Sequence, residues 1–464
     1  MTAAALAAVL EAAASADVFR RTGTILDIAG EVAVAGGINL RPGELVTVGG
    51  GGGRELSAEC VRAAGGASYL ALLERGRVSA GARVRAEGTA ASTPVGRTLQ
   101  GRVLDGLGRP IDGKGPLGAT RRVAGRAEPP HPLHREPIVQ ALPSGVRAID
   151  GFLTLGRGQR VGIFAGSGVG KSTLLGMLAR GTAADVTVIA LIGERGREVR
   201  DFIEQDLGLD ALGRCVIVAS TGDNPAAMRL CAARTATAIA EAFRDDGLDV
   251  LLLFDSITRV AMAQREVGLG AGEPPTTKGY PPSVFSLLPH LMERAGPGAV
   301  GSITAIYTVL VDGEDMDDPI ADLARATLDG HIVLRRSLAS AGHYPPIDVL
   351  QSVSRLMERV ASSAHAEAAR RLRGLLSAYE EARDLISIGA YVRGTDPLVD
   401  RAQDLLPRLQ AFLRQQSLDV TGYEDAIASL TSLDGQEEAI INALEEEDAD
   451  DAYFTPLEAV GRPS

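Results

Sequence analysis

Cysteine is scarce in this chain of 464 residues. The three cysteines, Cys60, Cys215 and Cys231, are odd in number and widely spaced. This spacing excludes the disulfide framework of a small secreted protein and favours a reducing compartment. The cysteines also form no cluster with histidines, so the sequence offers no structural zinc site of the usual spacing.

A long apolar run and a basic leader are missing as well. No uninterrupted stretch approaches the roughly 18 residues that are needed to cross a bilayer. The N-terminus has no basic region and carries Glu11, unlike a secretory signal. The formal net charge is -12, which argues against a constitutive nucleic-acid binder. We expect a cytoplasmic protein with no nucleic-acid partner.

Lysine is almost absent, since only Lys114, Lys171 and Lys278 occur. Lys171 stands out because it follows a glycine-rich turn. An apolar run of strand character, 161–165, leads into that turn, and a helical pattern begins at Lys171. This is the strand, loop and helix of a P-loop, in which glycines let successive backbone N–H groups surround phosphate oxygens.

The P-loop predicts a site for a nucleotide and Mg²⁺. Lys171 can reach the β- and γ-phosphates, and Ser172 can offer its hydroxyl to Mg²⁺. The first position of the pattern is Ala165 rather than glycine, but a small residue still fits there. The predicted phosphate-binding residues are Gly166, Ser167, Gly168, Val169, Gly170, Lys171, Ser172 and Thr173.

Two acidic residues follow apolar strand patterns farther along the chain. Asp255 has the position of a Walker B acid and would orient Mg²⁺ or its waters opposite Ser172. Its alternative role is that of a helix N-cap. Glu194 would polarise the attacking water in phosphoryl transfer. The alternatives for Glu194 are an acidic residue in a first helical turn and a surface ion pair with Arg195 or Arg197.

The hydrophobic pattern changes twice along the chain. Short β runs between turns, from Arg21 to about Ala91, indicate a small β-barrel. Alternating strands and helices follow, and their nearly all-apolar strands indicate a mostly parallel sheet covered on both faces. From about Gln351 a helical period takes over. The expected strands are 23–28, 44–48, 67–73, 161–165, 186–192, 215–219, 249–254, 301–310 and 331–334.

We therefore predict an α/β chain. A P-loop (RecA-like) central domain with a parallel sheet follows a small β-barrel and precedes a helical bundle. The expected parts are a partner-binding helix at 1–20, the barrel at 21–91, the P-loop domain with its lead-in segment at 92–350, the helical domain at 351–435 and an acidic tail, for which we expect disorder, at 436–464.

Several motifs go beyond a generic P-loop. Over about residues 20–435 they make the sequence similar to the family that includes the catalytic subunit of rotary ATP synthases and the type III protein-export ATPases. Within that family, the P-loop at 165–172 resembles the flagellar members most. The motifs that carry the likeness are GVRAIDG at 145–151, ALIGERGREVRDF at 190–202, AQRE at 263–266, AGEPP at 271–275, GYPPSVF at 279–285 and LDGHI at 328–332.

This resemblance implies roles for residues of the P-loop and its surroundings. Lys171 and Ser172 match the residues that bind the phosphates of ATP and Mg²⁺. Glu194 matches the catalytic carboxylate, and Asp255 matches the Walker B acid. Arg195 matches the active-site neighbour of the catalytic carboxylate.

Two further matches extend the implied site. Tyr344, within 342–346, matches an aromatic residue that packs on the adenine, and simple core packing is its alternative. Arg355, within 352–357, matches an arginine finger given to the γ-phosphate of the neighbouring subunit, where it stabilises transition-state charge. Without the resemblance, Arg355 would be interpreted as a surface residue.

The resemblance also implies a homohexameric ring with nucleotide sites at the subunit interfaces. The implied partners are a regulator or stator protein at the N-terminus, a central stalk protein, the membrane proteins of an export gate and export chaperone–substrate complexes. Such a ring would be cytoplasmic and peripherally associated with the inner-membrane export apparatus. The alanine-rich residues 1–20 and the acidic tail depart from the family pattern.

Four functions follow from these observations. An export ATPase could serve a flagellum or an injectisome. A subunit of a proton-driven ATP synthase is disfavoured by the export-like motifs at 271–275 and 279–283, and a hexameric RNA translocase is disfavoured by the acidic charge. A catalytically silent subunit is disfavoured because the lysine, both carboxylates and the finger arginine are all present.

Overall fold

The computed structural model describes residues 21–311 and 317–435. Six strands near the beginning of the chain form a closed barrel. They are β1 (Thr22–Ala29), β2 (Val32–Gly36), β3 (Glu44–Gly49), β4 (Glu55–Ala64), β5 (Ala67–Leu72) and β6 (Arg83–Ala90). Around the barrel their order is β1, β2, β5, β4, β3 and β6. Val46, Val48 and Leu70 are among the buried apolar residues of its core. The predicted barrel is confirmed.

The three barrel strands expected from the sequence correspond to β1, β3 and β5. The other three strands, β2, β4 and β6, were not predicted from the sequence. In β4 a shift of register between Cys60 and Arg62 marks a bulge, and a bulge interrupts the alternation of inward and outward residues by which a strand is recognised. β2 has only five residues, which is too short for a clear period.

A large sheet follows the barrel. The remaining strands are β7 (Ser92–Val95), β8 (Arg102–Leu104), β9 (Arg121–Ala124), β10 (Arg160–Ala165), β11 (Val186–Ile192), β12 (Cys215–Ser220), β13 (Asp249–Asp255), β14 (Gly296–Pro297), β15 (Ser302–Leu310), β16 (Gly330–Leu334) and β17 (Ile347–Ser354). The order across the sheet is β17, β16, β10, β15, β13, β11, β12 and β8, and β14 pairs with β15 outside that path. β7 and β9 form a separate two-stranded ribbon.

Neighbouring strands of the large sheet are parallel, apart from β17 beside β16 and β14 beside β15. The sheet is therefore mostly parallel, as predicted. Each of its six expected strands is present within one residue at either end. These strands were easy to predict because they are buried on both faces and hence almost wholly apolar.

Helices cover both faces of this sheet. They are α1 (Arg147–Phe152), α2 (Lys171–Gly181), α3 (Gly196–Asp201), α4 (Leu209–Leu212), α5 (Ala226–Asp245), α6 (Ile257–Gly270), α7 (Pro282–Glu293), α8 (Pro319–Thr327), α9 (Arg336–Ser340), α10 (Met357–Val360), α11 (Ser363–Ser387) and α12 (Pro397–Leu413), with a further helix at 423–435. Successive strand residues face opposite ways. In β11, Ile189 and Leu191 pack in one core with α2, α11 and α12, whereas Val188 and Ala190 pack in another with α5, α6 and α7.

The helical end of the chain is docked on α1. The side chains of Ser362 and Asp396 accept backbone N–H groups and cap α11 and α12. A ring nitrogen of His365 in α11 lies 2.8 Å from the carbonyl oxygen of Gly151 in α1. Helices thus follow the sheet, in agreement with the predicted architecture.

The division of the chain into domains stays a prediction. β17 continues to Ser354, so residues 351–354 belong to the sheet although we placed them in the helical part. The expected helix at 1–20 and acidic tail at 436–464 lie outside the described residues. Within the described ranges, no helix combines the length and the apolarity needed to cross a membrane.

Two carboxylates of the barrel hold α5. No side chain of its own segment caps α5, but Glu31 Oε2 accepts the backbone N–H of Ala226 at 2.8 Å, which places a negative charge at the positive end of the helix dipole. Glu59, in β4, accepts a hydrogen bond of 2.9 Å from Arg234 in α5 and one of 2.6 Å from Arg126. The barrel is therefore fastened to the helix by buried polar contacts.

The ion pairs of Glu59 depend on pH. Burial would raise the pKa of the Glu59 carboxyl, but the charges and hydrogen bonds of Arg234 and Arg126 outweigh burial and lower this pKa to about 2. The ordinary carboxyl has a pKa of 4.5. The ionised Glu59 therefore stabilises the fold above pH 4.5, and this contribution is lost as the pH falls from 4.5 towards 2.

We expect Glu59→Gln to lower the free energy of unfolding by about 3–5 kcal/mol at neutral pH, because Arg234 loses the partner of its buried charge. The difference from the wild type should shrink below pH 4.5. Urea unfolding at a series of pH values measures both effects. The matched control is Glu55→Gln, on the same strand, whose exposed ion pair with Arg85 should contribute less than about 1 kcal/mol. Equal destabilisation by the two variants would contradict the role of Glu59.

Candidate nucleotide site

The glycine-rich turn joins β10 to α2. Gly168 (φ 75°) and Gly170 (φ 105°) adopt left-handed conformations, which glycine reaches without steric cost. α2 begins at Lys171, and no side chain caps its N-terminus. Its first backbone N–H groups are therefore available to an anion, at the positive end of the helix dipole.

Lys171 lies between two carboxylates. Its Nζ donates a hydrogen bond of 3.1 Å to Glu194 Oε1 and another to Asp255 Oδ1. The side chains of Lys171, Glu194 and Asp255 are 12%, 13% and 4% exposed. The structure therefore brings three of the predicted site residues together at the carboxyl ends of the parallel strands.

The charges of this group are coupled. Burial disfavours the charged form of Lys171, but the charges and hydrogen bonds of Asp255 and Glu194 outweigh burial and raise the pKa of Lys171 above its ordinary value. One positive and two negative charges sum to -1. A nucleotide alone would add like charge, and a divalent cation that arrives with it would offset the repulsion.

Asp255 ends β13 and does not cap the helix that follows. The cap of α6 is Ser256, whose hydroxyl accepts the backbone N–H of Arg259 at 3.3 Å. The N-cap alternative for Asp255 is therefore wrong. Thr308, in β15, donates its hydroxyl to Asp255 Oδ1 at 2.7 Å and so fixes the orientation of the carboxylate.

Glu194 is turned towards Lys171 by the residue before it. Gly193 has φ 77°, and a Cβ placed there would lie 2.8 Å from the Cβ of Arg259. Glycine is required at this position because the chain passes closely over α6 in a left-handed conformation. The close passage delivers the carboxylate of Glu194 into the site.

Arg195 lies outside this group. Its side chain is 86% exposed, and its Nη1 donates to Glu198 Oε1 at 3.3 Å. Arg197 pairs with Asp201 in the same way, one turn farther on. The surface ion pair considered for Glu194 is therefore not formed. The structure of the single chain does not bring Arg195 into contact with Lys171 or Glu194.

The residues beside the turn fit a magnesium ion that arrives with a nucleotide. The hydroxyl of Ser172 makes no hydrogen bond within the described part of the chain, and only one oxygen of Asp255 is engaged. Mg²⁺ usually takes one or two protein oxygens and completes its shell with phosphates and waters. Nowhere in the described ranges do three or more His, Cys, Asp or Glu side chains form a group suited to a metal ion.

Tyr344 stands at a cavity beside α2. The cavity has a volume of about 750 Å³ and is lined by Gly170, Thr173, Tyr344 and Gln415, among others. Tyr344 is 52% exposed, so the core-packing alternative does not describe it. The cavity opens next to the phosphate loop and is large enough for the base and sugar of a nucleotide.

Arg355 lies far from the glycine-rich turn of its own chain. It follows β17, which runs antiparallel to β16, so that Ser354 pairs with Gly330 whereas Ala165 pairs with Leu334. Gly166 lies one residue beyond Ala165, and Arg355 lies one residue beyond Ser354, so six residue steps along β16 separate them. At about 3.3 Å per step, the separation along the sheet is about 20 Å. Arg355 is exposed at the edge strand, where its Nη2 donates to a backbone carbonyl at 3.1 Å.

Several polar residues at the site were missed by the sequence analysis. Thr308 is one, and a polar residue inside an apolar strand could have suggested it. Arg259 is another, because it packs against Gly193, beside Glu194, and its buried Nε finds no hydrogen-bond partner among the described residues. Arg336 is a third, since its Nη2 donates to the carbonyl oxygen of Ser167 at 3.1 Å. The two arginines gave no signal in a chain whose basic residues are nearly all arginine.

Fold and site together define a P-loop nucleotide-binding protein, and the comparisons with known proteins narrow this class. The model of the nucleotide-binding domain of the ATP synthase alpha/beta family matches residues 145–354. The model of the T3SS EscN ATPase C-terminal domain matches residues 361–432.

Individual relatives agree with these models. The chain is 54% identical over 366 residues to the flagellum-specific ATP synthase of Bacillus subtilis, which covers 79% of this chain and 84% of the relative. It is 48% identical over 419 residues to the type 3 secretion system ATPase of Xanthomonas euvesicatoria. That alignment covers 89% of this chain and 94% of the relative. The assembled ATPase EscN of enteropathogenic E. coli matches with a TM-score of 0.83, and its complex with the central stalk EscO matches with 0.81. Each is 45% identical and covers 89% of this chain and 99% of the other.

The chain thus belongs to the family of type III protein-export ATPases. It is an ATP-hydrolysing enzyme, as the resemblance implied.

Replacing Thr308 by valine tests the support of Asp255. Thr308→Val keeps the shape of the side chain and removes a hydrogen bond to a charged group, which contributes about 1.5–3 kcal/mol. We expect kcat for ATP hydrolysis to fall about tenfold or more with a small change in KM. Thr308→Ser keeps the hydroxyl and is the matched control. Equal kcat values for the valine and serine variants would show that the bond has no catalytic importance.

Proposed function

We propose that this chain is the ring-forming ATPase of a flagellar type III protein-export apparatus, which assists the delivery and unfolding of export substrates and the release of their chaperones. The observation that carries the proposal is the position of Lys171 between Glu194 and Asp255, at the uncapped N-terminus of α2. One cation for phosphates and two carboxylates, for water and for Mg²⁺, then lie within one site.

In this function Lys171 leaves the two carboxylates for the β- and γ-phosphates when ATP binds. Glu194 thereby loses its cation and accepts a hydrogen bond from the attacking water. Asp255, oriented by Thr308, and the hydroxyl of Ser172 would hold Mg²⁺, which neutralises phosphate charge when it is bound. The backbone N–H groups of 166–170 hold the phosphates.

Two residues complete the proposed site. Tyr344 packs on the adenine, since it is exposed at the wall of the cavity that adjoins the phosphate loop. Arg355 serves the γ-phosphate of a neighbouring subunit, because its strand direction keeps it about 20 Å from the glycine-rich turn of its own chain. Arg195, exposed in its pair with Glu198, joins the site only when that pair opens.

A homohexameric ring would satisfy this division of residues between subunits. The likeness to assembled EscN and to its complex with a central stalk supports a ring that takes up a stalk protein. The further partners we propose are a regulator at residues 1–20, the export gate and chaperone–substrate complexes. The ring would be cytoplasmic and peripherally attached to the inner membrane.

An injectisome ATPase is the second candidate. The longer alignment with the Xanthomonas relative, which covers 89% of this chain, and the likeness to EscN favour it. The flagellar assignment is supported by the P-loop sequence at 165–172 and by the flagellum-specific relative. A host strain that lacks this chain should form no flagellar filaments and should keep any injectisome secretion. The reverse pattern would select the second candidate.

A mixing experiment tests the shared site. We expect the specific activity of the wild type to rise with protein concentration, because two chains build each site. Glu194→Gln and Arg355→Ala should each lose about 10³-fold or more in kcat. A mixture of the two variants should recover part of the activity, since an interface can combine the intact Glu194 of one chain with the intact Arg355 of another.

The matched control is Arg359→Ala, which removes an exposed arginine on α10 whose guanidinium has no partner within the described residues. This variant should keep the wild-type activity. Activity that does not depend on concentration, together with a harmless Arg355→Ala, would refute the finger and leave a self-contained ATPase.

A further inference from the structure

A segment after α12, residues 414–421, closes the cavity beside α2. Several hydrogen bonds hold this segment to the P-loop domain. Arg180 Nη2 donates to the carbonyl oxygen of Ser417, and the backbone N–H of Thr421 donates to the carbonyl oxygen of Gly145 at 3.2 Å. The wall of the cavity is therefore built jointly by the helical end of the chain and the P-loop domain.

Gln415 is the centre of this segment. Its side chain is buried, with 5% exposure. Oε1 accepts the backbone N–H of Arg147 at 2.8 Å, and Nε2 donates to the carbonyl oxygens of Gly145 at 2.8 Å and Asp419 at 2.9 Å. The backbone N–H of Gln415 donates to the carbonyl oxygen of Tyr344 at 2.8 Å. One residue thus joins the helical end, the turn before α1 and the loop of the aromatic residue.

The chemistry of these contacts requires an amide. Two carbonyl oxygens need donors and one N–H group needs an acceptor, and a primary amide supplies both. A carboxylate at residue 415 would face the oxygens of Gly145 and Asp419 without a hydrogen. An apolar side chain of the same size would leave the N–H of Arg147 and the carbonyl oxygen of Asp419 without the partners that Gln415 supplies, which costs free energy when they are buried. The carbonyl oxygen of Gly145 would keep only its bond from the N–H of Thr421.

The contacts of Gln415 are separate from the phosphate site. None of its hydrogen bonds reaches residues 166–172, whereas its backbone N–H holds the loop that carries Tyr344. The two ends of a bound nucleotide would therefore be positioned by different parts of the chain. Loss of the side-chain amide should therefore weaken the binding of the base and leave the binding of the phosphates unchanged.

We propose that Gln415 is a positioning residue for the base end of the nucleotide. The side-chain amide anchors the segment 414–421 to the turn before α1, and the backbone N–H of the anchored residue holds the loop of Tyr344. Affinity for ATP therefore depends on this amide, and affinity for the phosphates does not. The inference rests on the proposed function, in which Tyr344 packs on the adenine. It also connects the C-terminal helices to the loop of Tyr344 through a single residue, whose amide is anchored at Gly145 and whose backbone N–H reaches Tyr344.

Calorimetric titration of the full chain tests the proposal. The probes are ATP, supplied as its non-hydrolysable β,γ-imido analogue with Mg²⁺ because the enzyme hydrolyses ATP itself, and inorganic tripolyphosphate with Mg²⁺, which has three phosphates but neither base nor sugar. For Gln415→Glu and Gln415→Leu we expect the Kd of ATP to rise about tenfold, which corresponds to the loss of one net hydrogen bond. The Kd of tripolyphosphate should change less than about twofold, because the phosphate site is untouched.

Gln410→Glu is the matched control, since Gln410 lies on α12 and its side-chain amide has no partner among the described residues. It should leave both Kd values unchanged. Equal weakening of ATP and tripolyphosphate, or unchanged ATP affinity, in the Gln415 variants would overturn the proposal. Loss of folded structure in both variants, seen by circular dichroism without ligand, would give Gln415 a purely structural role and overturn it too. Failure of the wild type to bind ATP would instead refute the proposed function, and this inference with it.

Discussion

The contact of Lys171 with Glu194 and Asp255 is the interaction on which the site depends. It forms because β10, β11 and β13 are parallel and end on the same side of the sheet. β15 lies between β10 and β13, so its Thr308 reaches the carboxylate of Asp255. The positive charge compensates two carboxylates that are nearly buried, and the same charge is what a phosphate needs. A ligand that binds Lys171 in place of Glu194 and Asp255 must therefore bring a cation that compensates the charge of the two carboxylates.

Much of this fold was predictable from the sequence. The strands of the sheet are apolar on both faces, and the glycine-rich turn with its lysine has a fixed chemistry, so both gave strong local patterns. The remaining contacts join residues that are distant in the chain. Thr308 and Asp255 are 53 positions apart, and Gln415 and Gly145 are 270 apart. No period or motif records such pairs, because they arise only when the sheet order brings the segments together. The position of Arg355 could not be predicted for the same reason. Only the register of β17 reveals that Arg355 lies away from the phosphate loop of its own chain.

The barrel and the helical end approach the P-loop domain from different faces of the sheet. The barrel is fastened to α5, which packs in the core away from α2, whereas α11 and α12 share a core with α2 itself. The helical end is therefore the part that lies next to the cavity beside α2. The barrel packs instead on α5 and α6. This arrangement explains why the segment after α12, and no part of the barrel, lines the cavity beside α2.

In the proposed ring, the direction of β17 determines which two sites this strand connects. This strand of eight residues begins just after Tyr344, at the wall of the cavity, and ends just before the exposed Arg355. Under the proposed function each such strand connects two successive nucleotides, and it is paired with β16 at both of its ends. A hydrogen-bonded strand shifts as a unit more easily than it stretches, because close-packed interiors transmit displacement. A shift at the base of one nucleotide would therefore be passed to the γ-phosphate of the next. In this way β17 alone would couple ATP hydrolysis in one subunit to ATP hydrolysis in its neighbour.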